Sequence, residues 1–479
     1  MRRENGYLTV YMALCITVVL SLCLTLIEGA RRNGAVMEAA CVADIGMQSI
    51  FAEYHRQLLD QYNLFAIDSS YGTGRAGTYN TEARLLYYLD KNLDMKDIFL
   101  SSFLYRDFLG LSVDGVEITG VSILTDEGGK VFRQRAAEAV KDDVGISALT
   151  ELRQWMEVIE INGFENADTR QEKENADKLI REYEYEDENG EKRVGINNPT
   201  EILEQERHQG ILKHVAQDAN LISINTLDTS GLIYSRMQNS NVSHGNLSPG
   251  ETRWTDDLVE RFFFQEYLLQ YMGRYGRENE RDALHYQVEY LIVGMENDTD
   301  NLRSVANRLC ALREAANAWY LWNDPMKNAE AELVAEVLSA AIHLPDIAPI
   351  LKVVIILGWA YAESIYDVKT LFSGGRIPLM KDENSWHYGL WAALSGNLSD
   401  RSQEGEGMSY EDYLRVFMML TGLDKLTGRA MNMVEADIRM TEGNAGFCLD
   451  GCYDRLEFDI RLSSSFGYEY QLIRQRSYD

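Results

Sequence analysis

The densest mixture of titratable and aromatic side chains in the sequence lies between residues 381 and 388. Lys381-Asp382-Glu383 is followed by Ser385-Trp386-His387-Tyr388, and these groups could bind a ligand or transfer a proton if they lined a pocket. An amphipathic turn at the protein surface has the same composition, and this second interpretation is the favoured one.

The other polar groups do not form a known catalytic or metal-binding motif. The sequence contains no nucleophile elbow, paired histidines on a helix, phosphate loop or dinucleotide fingerprint. His285 and Glu289 lie four residues apart on a predicted strand, about 13 Å along it, which is too far for a shared metal. Gly374-Gly375 before Arg376 predicts a turn and not a phosphate cradle, because no helix start with Lys-Ser/Thr follows. The sequence therefore predicts no catalytic residue, no cofactor and no metal site.

Among the six cysteines, only Cys448 and Cys452 lie close together. This C-x3-C pair could close a small disulfide loop in an oxidising compartment, or it could remain two half-buried thiols beside a turn, which is the favoured alternative. Zinc binding is not expected, because no second pair of cysteines or histidines stands at ligand spacing.

The element that must position the rest of the chain is an apolar segment at its start. Tyr7 to Ile27 is nearly uncharged. About twenty-one residues at ~1.5 Å each form a helix of roughly 31 Å, enough to cross a bilayer core of ~30 Å. No signal-peptidase site of small residues follows it. The sequence therefore predicts a short tail over residues 1–6 and an uncleaved transmembrane helix over residues 7–27, in a single-pass protein of the cell membrane.

Beyond this segment the helical pattern becomes amphipathic and predicts a stalk over residues 28–62. Glu28 precedes Arg31 and Arg32 by three and four residues, which suits ion pairs on one helix face. The apolar stripe of the stalk either packs on the protein's own outer region, which is the favoured alternative, or contacts partner helices in the membrane plane. The residues of this possible assembly face are Val36, Ala40, Ala43, Met47, Ile50 and Tyr54.

The remaining residues, 63–479, have the composition of a globular α+β region. Hydrophobic residues make up 46% and aromatic residues 10% of the sequence, which is enough for a core. The formal charge of -29 repels nucleic acid and anionic lipid headgroups, so binding to either as a main role is excluded. Residues 162–193 carry dense charge and few aliphatic side chains, so they predict a mobile acidic insertion or an exposed charged helix.

Three segments of this mainly helical region are predicted to form one small mixed or antiparallel sheet. They are Gly115–Thr125, His285–Val293 and a C-terminal hairpin whose apolar residues alternate from Leu456 to Leu472. The apolar segment Ile350–Ala362 has only ten uncharged residues between Lys352 and Glu363. It therefore predicts a buried core helix and not a second membrane span.

Six short stretches, spread over nearly the whole chain, carry a family resemblance. They are Gly6–Val10, Leu26–Arg31, Leu59–Phe65, Gln287–Gly294, Trp359–Ser364 and Tyr410–Arg415. In these stretches the chain resembles an uncharacterised family of membrane-anchored proteins from Gram-positive bacteria, related to the pseudopilin-like components of tight-adherence (Tad) pilus machinery. Prepilins and their relatives usually carry a glutamate five residues after the glycine that prepilin peptidase cuts. Counting from Gly6 that position is Tyr11, so the resemblance does not predict this cleavage.

The resemblance implies an amino terminus inside the cell and a globular part outside it, whereas the charges flanking the anchor are nearly tied and do not fix the orientation. It implies a non-enzymatic accessory or minor pseudopilin-like subunit of a Tad-type pilus or secretion apparatus. Its implied partners are the membrane and other pilin-like or pilus-platform proteins, contacted through the N-terminal helix. The alternative is a membrane-tethered extracytoplasmic enzyme or ligand-binding module, which a deep polar pocket near Trp386 and His387 would favour.

Overall fold

The structure is a computed structural model that describes residues 4–93, 109–186, 191–216, 221–239, 242, 244–248, 257–396, 398 and 405–478. Helices hold 61% of the residues and strands hold 11%, in small antiparallel sheets, which confirms the predicted α+β class. Of the predicted cytoplasmic tail, residues 1–3 lie outside the described residues, and residues 4–6 belong to the first helix.

The helices are α1 (Glu4–Phe51), α2 (Arg56–Tyr62), α3 (Thr78–Leu93), α4 (Asp126–Val140), α5 (Ile146–Ile161), α6 (Thr169–Glu182), α7 (Glu201–His208), α8 (Ile211–Val215), α9 (Ile233–Gln238), α10 (Asp257–Tyr271), α11 (Gln287–Val293), α12 (Asp298–Asn323), α13 (Pro325–Ala341), α14 (Ala348–Phe372), α15 (Leu390–Leu394), α16 (Tyr410–Leu420) and α17 (Leu423–Met440). The strands are β1 (Ile67–Asp68), β2 (Leu111–Ile123), β3 (Glu184–Glu186), β4 (Lys192–Val194), β5 (Cys452–Ser464) and β6 (Glu469–Ser477).

The chain folds into two compact units. The anchor unit comprises Met1–Arg135, Arg236–Arg253 and Ile438–Asp479, and the helical unit comprises Ala136–Ser235 and Trp254–Asp437. The anchor unit contains α1, α2, α3 and the strands β1, β2, β5 and β6, whereas most of the other helices belong to the helical unit. The predicted outer region, residues 63–479, therefore includes parts of both units.

The anchor unit is built on a four-stranded antiparallel sheet in which β5 is central. β5 pairs with β2 along one edge and with β1 and β6 along the other. Alternate residues of β5 from Leu456 to Leu462 are buried, as a period-two pattern requires. Ser464 N donates to Tyr468 O at 2.8 Å where the chain turns from β5 into β6. The predicted C-terminal hairpin and the predicted strand near residues 115–125 are both confirmed.

α1 is one continuous helix of 48 residues whose second half packs on this sheet and on α3. The helix ends at Phe51, and the N–H of His55 donates to Ala66 O at 2.9 Å as the chain reverses toward β1. His55 then caps α2, because its Nδ1 accepts from Leu58 N at 3.2 Å. The predicted stalk, residues 28–62, is therefore interrupted by a turn and is not one unbroken helix.

The helical unit is organised around α14, which packs against α12, α13 and α6. Nineteen of its residues are buried, on all sides of the helix, as expected for a helix without a polar face. The segment from Pro345 to Phe372 is long and apolar enough to cross a membrane, but 72% of its apolar window is buried inside the protein. The prediction of a buried core helix at residues 350–362 is confirmed.

The predicted strand at His285–Val293 is wrong, because Gln287–Val293 forms the short helix α11. Every residue from Gln287 to Ile292 is buried, so the alternation of aromatic and β-branched residues does not separate a buried face from an exposed one. A helix satisfies the backbone groups of such a segment internally, without a partner strand. The sheet of the anchor unit therefore contains two of the three predicted strand regions.

The acidic segment at residues 162–193 contains a helix, as predicted, but one face of that helix is buried. In α6, the side chains of Lys173, Asp177 and Ile180 are buried, and the helix packs on α14. Lys173 Nζ donates to Asp177 Oδ2 at 2.9 Å and pairs with Glu204 of α7. The charges of this face are paired with one another, which is why they can lie against an apolar helix. Residues 187–190 of the segment lie outside the described residues.

Candidate functional site

The structure divides the predicted assembly face of α1 between the core and the surface. Ala43, Met47 and Ile50 are buried, Ala40 and Tyr54 are half-buried, and Val36 has 46% of its surface exposed. The three buried residues belong to the core of the anchor unit, together with residues of β5 and α3. Most of the stripe therefore packs on the protein's own fold, and its three buried members are not accessible to a partner helix.

A close approach between α1 and α3 explains this burial. At Gly46, a Cβ atom would lie 2.8 Å from a methyl carbon of Leu89 and 2.9 Å from a methyl carbon of Leu85. The absence of a side chain at Gly46 lets these two leucines of α3 reach the backbone of α1. The apolar stripe thereby meets α3 and the sheet at the same time, which its helical period alone does not reveal.

A second apolar face of α1 stays exposed where the stalk begins. Val36, Met37 and Ile45 expose 46%, 69% and 46% of their surfaces, and Cys41 is exposed between them. Because residues 37, 41 and 45 are four apart, they lie on one side of the helix. We call these four residues the outer face. The sequence shows this four-residue spacing, but the buried stripe has the same spacing on an adjacent part of the helix. Periodicity alone therefore did not distinguish the exposed face from the buried one.

The turn between β5 and β6 holds the beginning of the stalk. Tyr468 Oη donates to Glu28 Oε1 at 2.6 Å, and Arg31 Nη1 donates to Glu28 Oε2 at 3.1 Å. The guanidinium carbon of Arg31 lies 4.0 Å from the centre of the Phe466 ring. The predicted ion pair between Glu28 and Arg31 is confirmed. These contacts join the end of the apolar segment to the sheet, so its direction is set by the anchor unit.

In the segment at residues 381–388, residues 382–384 are exposed, whereas Lys381 belongs to a buried charge cluster. Lys381 Nζ pairs with Glu363 and lies 2.6 Å from Asp367 Oδ1, and all three side chains are fully buried. The backbone N–H groups of His387 and Tyr388 each donate to Glu363 at 2.8 Å. Glu363 and Asp367 lie one turn apart on α14, so this helix positions both carboxylates against the loop that carries Lys381.

Arg313 of α12 completes the charge cluster from the other side of α14. Its Nε donates to Asp367 Oδ2 at 3.0 Å, and its Nη1 donates to the carbonyls of Pro378 and Leu379 at 3.0 and 2.7 Å. Burial alone would raise the pKa of Asp367, but the adjacent Lys381 and Arg313 hold that pKa below its usual range. The carboxylate is therefore ionised, and the cluster contains two anions and two cations.

The aromatic residues of this segment pack on one another. The His387 ring stacks on Tyr366 with centroids 3.8 Å apart, and Trp386 meets Trp359 edge-on at 5.6 Å. Trp359 Nε1 donates to Tyr388 O at 2.7 Å. Asp382, Glu383 and Asn384 are exposed at a turn, as the predicted amphipathic surface turn requires. Lys381 and Tyr388, at the two ends of the segment, are buried. The available sequence signal was the pair of carboxylates, Glu363 and Asp367, four residues apart in an otherwise apolar helix.

Among the described residues, neither the cysteines nor the possible metal-ligating side chains form a further candidate site. Cys448 and Cys452 are both thiols, the first half-buried and the second buried, as the favoured alternative predicted. Burial raises the pKa of Cys310 to about 12, so its thiol is unreactive at neutral pH. Within the described ranges, no group of three His, Cys, Asp or Glu side chains is placed to hold a metal ion.

A buried carboxyl group, Glu289 of α11, makes the stability of the helical unit depend on pH. Its Oε1 accepts from Tyr275 N at 3.0 Å and from Tyr410 Oη at 2.7 Å. Burial raises the pKa of Glu289 from 4.5 to about 7. Because the folded state holds this proton more tightly than the unfolded state, the contribution of Glu289 to stability falls as the pH rises through this interval.

Replacing Glu289 by glutamine is expected to stabilise the protein above pH 7 by about 3–4 kcal/mol, since the pKa rises from 4.5 to about 7 and ~1.4 kcal/mol corresponds to each pKa unit. The amide oxygen can keep both hydrogen bonds. Urea unfolding of wild type and E289Q between about pH 4 and pH 9 measures the difference. The difference in the free energy of unfolding between E289Q and wild type should be near zero at about pH 4 and constant above about pH 7. A difference that does not change with pH would contradict the assignment.

Comparison with known proteins identifies a family for most of the chain. The family model that matches is described as a family of unknown function (DUF5702), and it matches residues 188–464. This range covers more than half of the chain, including α7 to α17 and all of β5, and it excludes α1. The searches of the curated proteins and of the solved structures find no match. By the extent of the family match, the chain belongs to the DUF5702 family of unknown function.

Proposed function

We propose that this protein is a non-enzymatic, membrane-anchored accessory or minor pseudopilin-like subunit of a Tad-type pilus or secretion apparatus. The observation that carries the proposal is α1, a single helix of 48 residues that begins in a bare apolar segment and ends in the core of the anchor unit. The resemblance of the six short stretches supplies the type of apparatus.

The exposed apolar segment of α1, residues 7–27 (the bare segment), supports a membrane location. From Tyr7 to Ile27 the large apolar side chains of α1 are exposed, with more than half of the surface of each open. Exposed apolar surface of this extent is unfavourable in water, and a hydrocarbon core of matching thickness removes the penalty. With the amino terminus inside the cell, the helical unit and the part of the anchor unit that follows the apolar segment lie outside it.

The rigid connection between the membrane segment and the sheet supports an assembly role. A flexible tether would let the outer units move independently of the anchor, whereas α1 continues without a break from the membrane segment into the core. The turn at Phe466 and Tyr468 adds contacts at the junction. A partner helix that lies beside α1 in the membrane and continues beyond it would contact the outer face, because this face is apolar and exposed.

Photo-crosslinking in living cells tests the proposal. A photoreactive residue at Met37, which is 69% exposed, should give adducts with pilin-like or pilus-platform proteins. The matched control is Met47, which is 3% exposed in the core of the anchor unit and should crosslink only within the chain. Mass spectrometry of the adducts identifies the partners.

Two results would refute the assembly role. The first is a Met37 probe that labels only lipid or the protein's own chain, because α1 would then act as a tether alone. The second is a strain without the gene that retains all its pili and its adhesion.

A further inference from the structure

The helical unit contains an open cleft of about 480 Å3 that the sequence did not predict. Its walls come from three separate segments, the turn at Arg274–Arg277, the end of α14 with residues 373–376, and the start of α16. Three of the lining residues are arginines, although the protein as a whole has a formal charge of -29. A positive cleft in an acidic protein concentrates an anionic ligand at one place.

The first two arginines are held side by side by a tight turn. Arg274 and Arg277 pair through their backbones, with Arg277 N donating to Arg274 O at 2.8 Å. Gly276 has a φ of 81°, which the third position of a type II turn requires. Both guanidinium groups donate to the same acceptor, Leu269 O, at 3.0 and 3.3 Å. The turn therefore brings two like charges together, an arrangement that an anion between them would stabilise.

The third arginine comes from the turn that ends α14. Arg376 is exposed, and its Nη1 donates to Gly407 O at 3.3 Å. The backbone N–H groups of Gly374 and Gly375 are used inside the turn, on Leu371 O and Thr370 O. The sequence prediction that these glycines form no phosphate cradle therefore agrees with the structure. The positive charge of the cleft comes from arginine side chains.

The charges around the cleft leave two cations without a paired carboxylate. The lining carboxylate Glu411 pairs with Arg274 and also with Arg415, which lies outside the cleft. Glu278, at the rim, accepts from Gly276 N at 2.8 Å and forms no ion pair among the described residues. Within the same residues, Arg277 and Arg376 form none either, because their guanidinium groups donate to backbone carbonyls.

We propose that this cleft binds a small molecule through a phosphomonoester group. The two unpaired cations match a phosphomonoester, which carries a charge of about -1.5 to -2 at neutral pH. Guanidinium forks from two segments can reach different phosphate oxygens at once, whereas a carboxylate has only two oxygens and is satisfied by one fork.

The size of the cleft indicates that the ligand is larger than inorganic phosphate. Small-molecule sites commonly enclose about 300–1,000 Å3, and the cleft falls within this range. Beside the arginines, the walls contain Tyr275, Phe372 and Tyr410, whose rings form one cluster with centroids 4.7 to 6.5 Å apart. An apolar or aromatic part of the ligand would lie against these rings. This inference does not depend on the assembly role, and it also fits a membrane-tethered ligand-binding module.

Isothermal titration calorimetry tests the site with the full-length protein in an uncharged detergent. Phenyl phosphate is titrated at fixed ionic strength, with inorganic phosphate and benzoate in parallel, so that ester, phosphate and carboxylate are distinguished. We expect phenyl phosphate to bind most tightly. Arg277→Ala and Arg376→Ala should each weaken it about tenfold, the usual effect of losing a charge-assisted hydrogen bond.

The matched control is Arg170→Ala, which removes the same charge from an exposed position of α6 and should leave the Kd unchanged. If an alanine variant does not fold, Arg277→Lys and Arg376→Lys retain the charge but lose the fork, and they should still weaken binding. Three results would overturn the proposal. They are no binding of phenyl phosphate, binding that is the same in the cleft variants and in wild type, and benzoate binding as tightly as phenyl phosphate.

Discussion

Replacing Lys381 by methionine is expected to lower the free energy of unfolding by about 3–5 kcal/mol, the usual cost of removing one partner from a buried ion pair. Lys381 faces Glu363 and Asp367, and all three side chains are fully buried. In the variant, Asp367 still contacts Arg313, but Glu363 keeps only the backbone donors of His387 and Tyr388. Methionine has a similar length, so the effect reports lost charge and not lost volume.

Urea unfolding followed by tryptophan fluorescence measures this change. The Nζ atom of Lys381 lies 5.5 Å from the centre of the Trp386 ring, so the emission should respond to the same site. The control is Lys178→Met, at a lysine that is 67% exposed and 3.9 Å from Glu182. It should change stability by less than about 0.5 kcal/mol. The double variant K381M/E363Q should recover part of the loss, because it also removes the unpaired anion. Equal stabilities for K381M and K178M would refute the role of the cluster.

The elements that the sequence predicted well are those whose signal is local. The apolar run of α1, the alternation along β5 and the apolar segment in α14 each specify burial or exposure within one element. The capping box at the start of α16 is equally local, because the side chains of Ser409 and Asp412 each accept from the other residue's backbone N–H.

The features that the sequence did not reveal share a physical cause, which is that the partner of a segment lies elsewhere in the chain. At α11 the alternating residues are buried on every side, so periodicity could not distinguish a helix from a strand. At residues 381–388 the decisive partners are Glu363, Asp367 and Arg313, on two helices. Asp382 and Glu383 are exposed, as their composition predicts, but the burial of Lys381 could not be predicted without knowing that these opposite charges lie nearby.

The arginine cleft was not predictable for the same reason. Arg274 and Arg277 are about a hundred residues from Arg376 in sequence, and no spacing rule relates them. The glycine at position 276 marked a turn, but a turn with flanking arginines is common at protein surfaces. Among the described residues, two arginines form no ion pair with a carboxylate, and this information appears only when α14, α16 and the turn at residues 274–277 are assembled.

Placing three arginines in the bare segment of α1 is expected to release the protein from the membrane. Leu14, Val18 and Leu22 lie four residues apart on one side of the helix, and each is exposed. An arginine near the bilayer centre costs about 2.5–3.5 kcal/mol, so the three together cost roughly 7–10 kcal/mol. This is comparable with the whole favourable transfer energy of a single apolar helix, so the segment should no longer insert.

Fractionation after an alkaline wash measures the release, with the full-length wild type in the pellet and the triple variant in the supernatant. The matched control places three arginines on the outer face, at Val36, Cys41 and Ile45, which are exposed but lie beyond the apolar segment. This control should stay in the pellet. A triple variant of Leu14, Val18 and Leu22 that also remained in the pellet would show that residues 7–27 are not the anchor.

The same control variant separates anchoring from assembly. With a photoreactive residue at Met37, arginines at Val36, Cys41 and Ile45 put charge on both sides of the probe without changing the buried stripe that contains Met47. If the outer face contacts an apolar partner helix, these charges must be desolvated on binding, and crosslinks to other proteins should be lost while membrane attachment is retained. Crosslinks that persist unchanged would mean that partners approach α1 from another direction, because a packed apolar interface cannot accommodate three unpaired arginines.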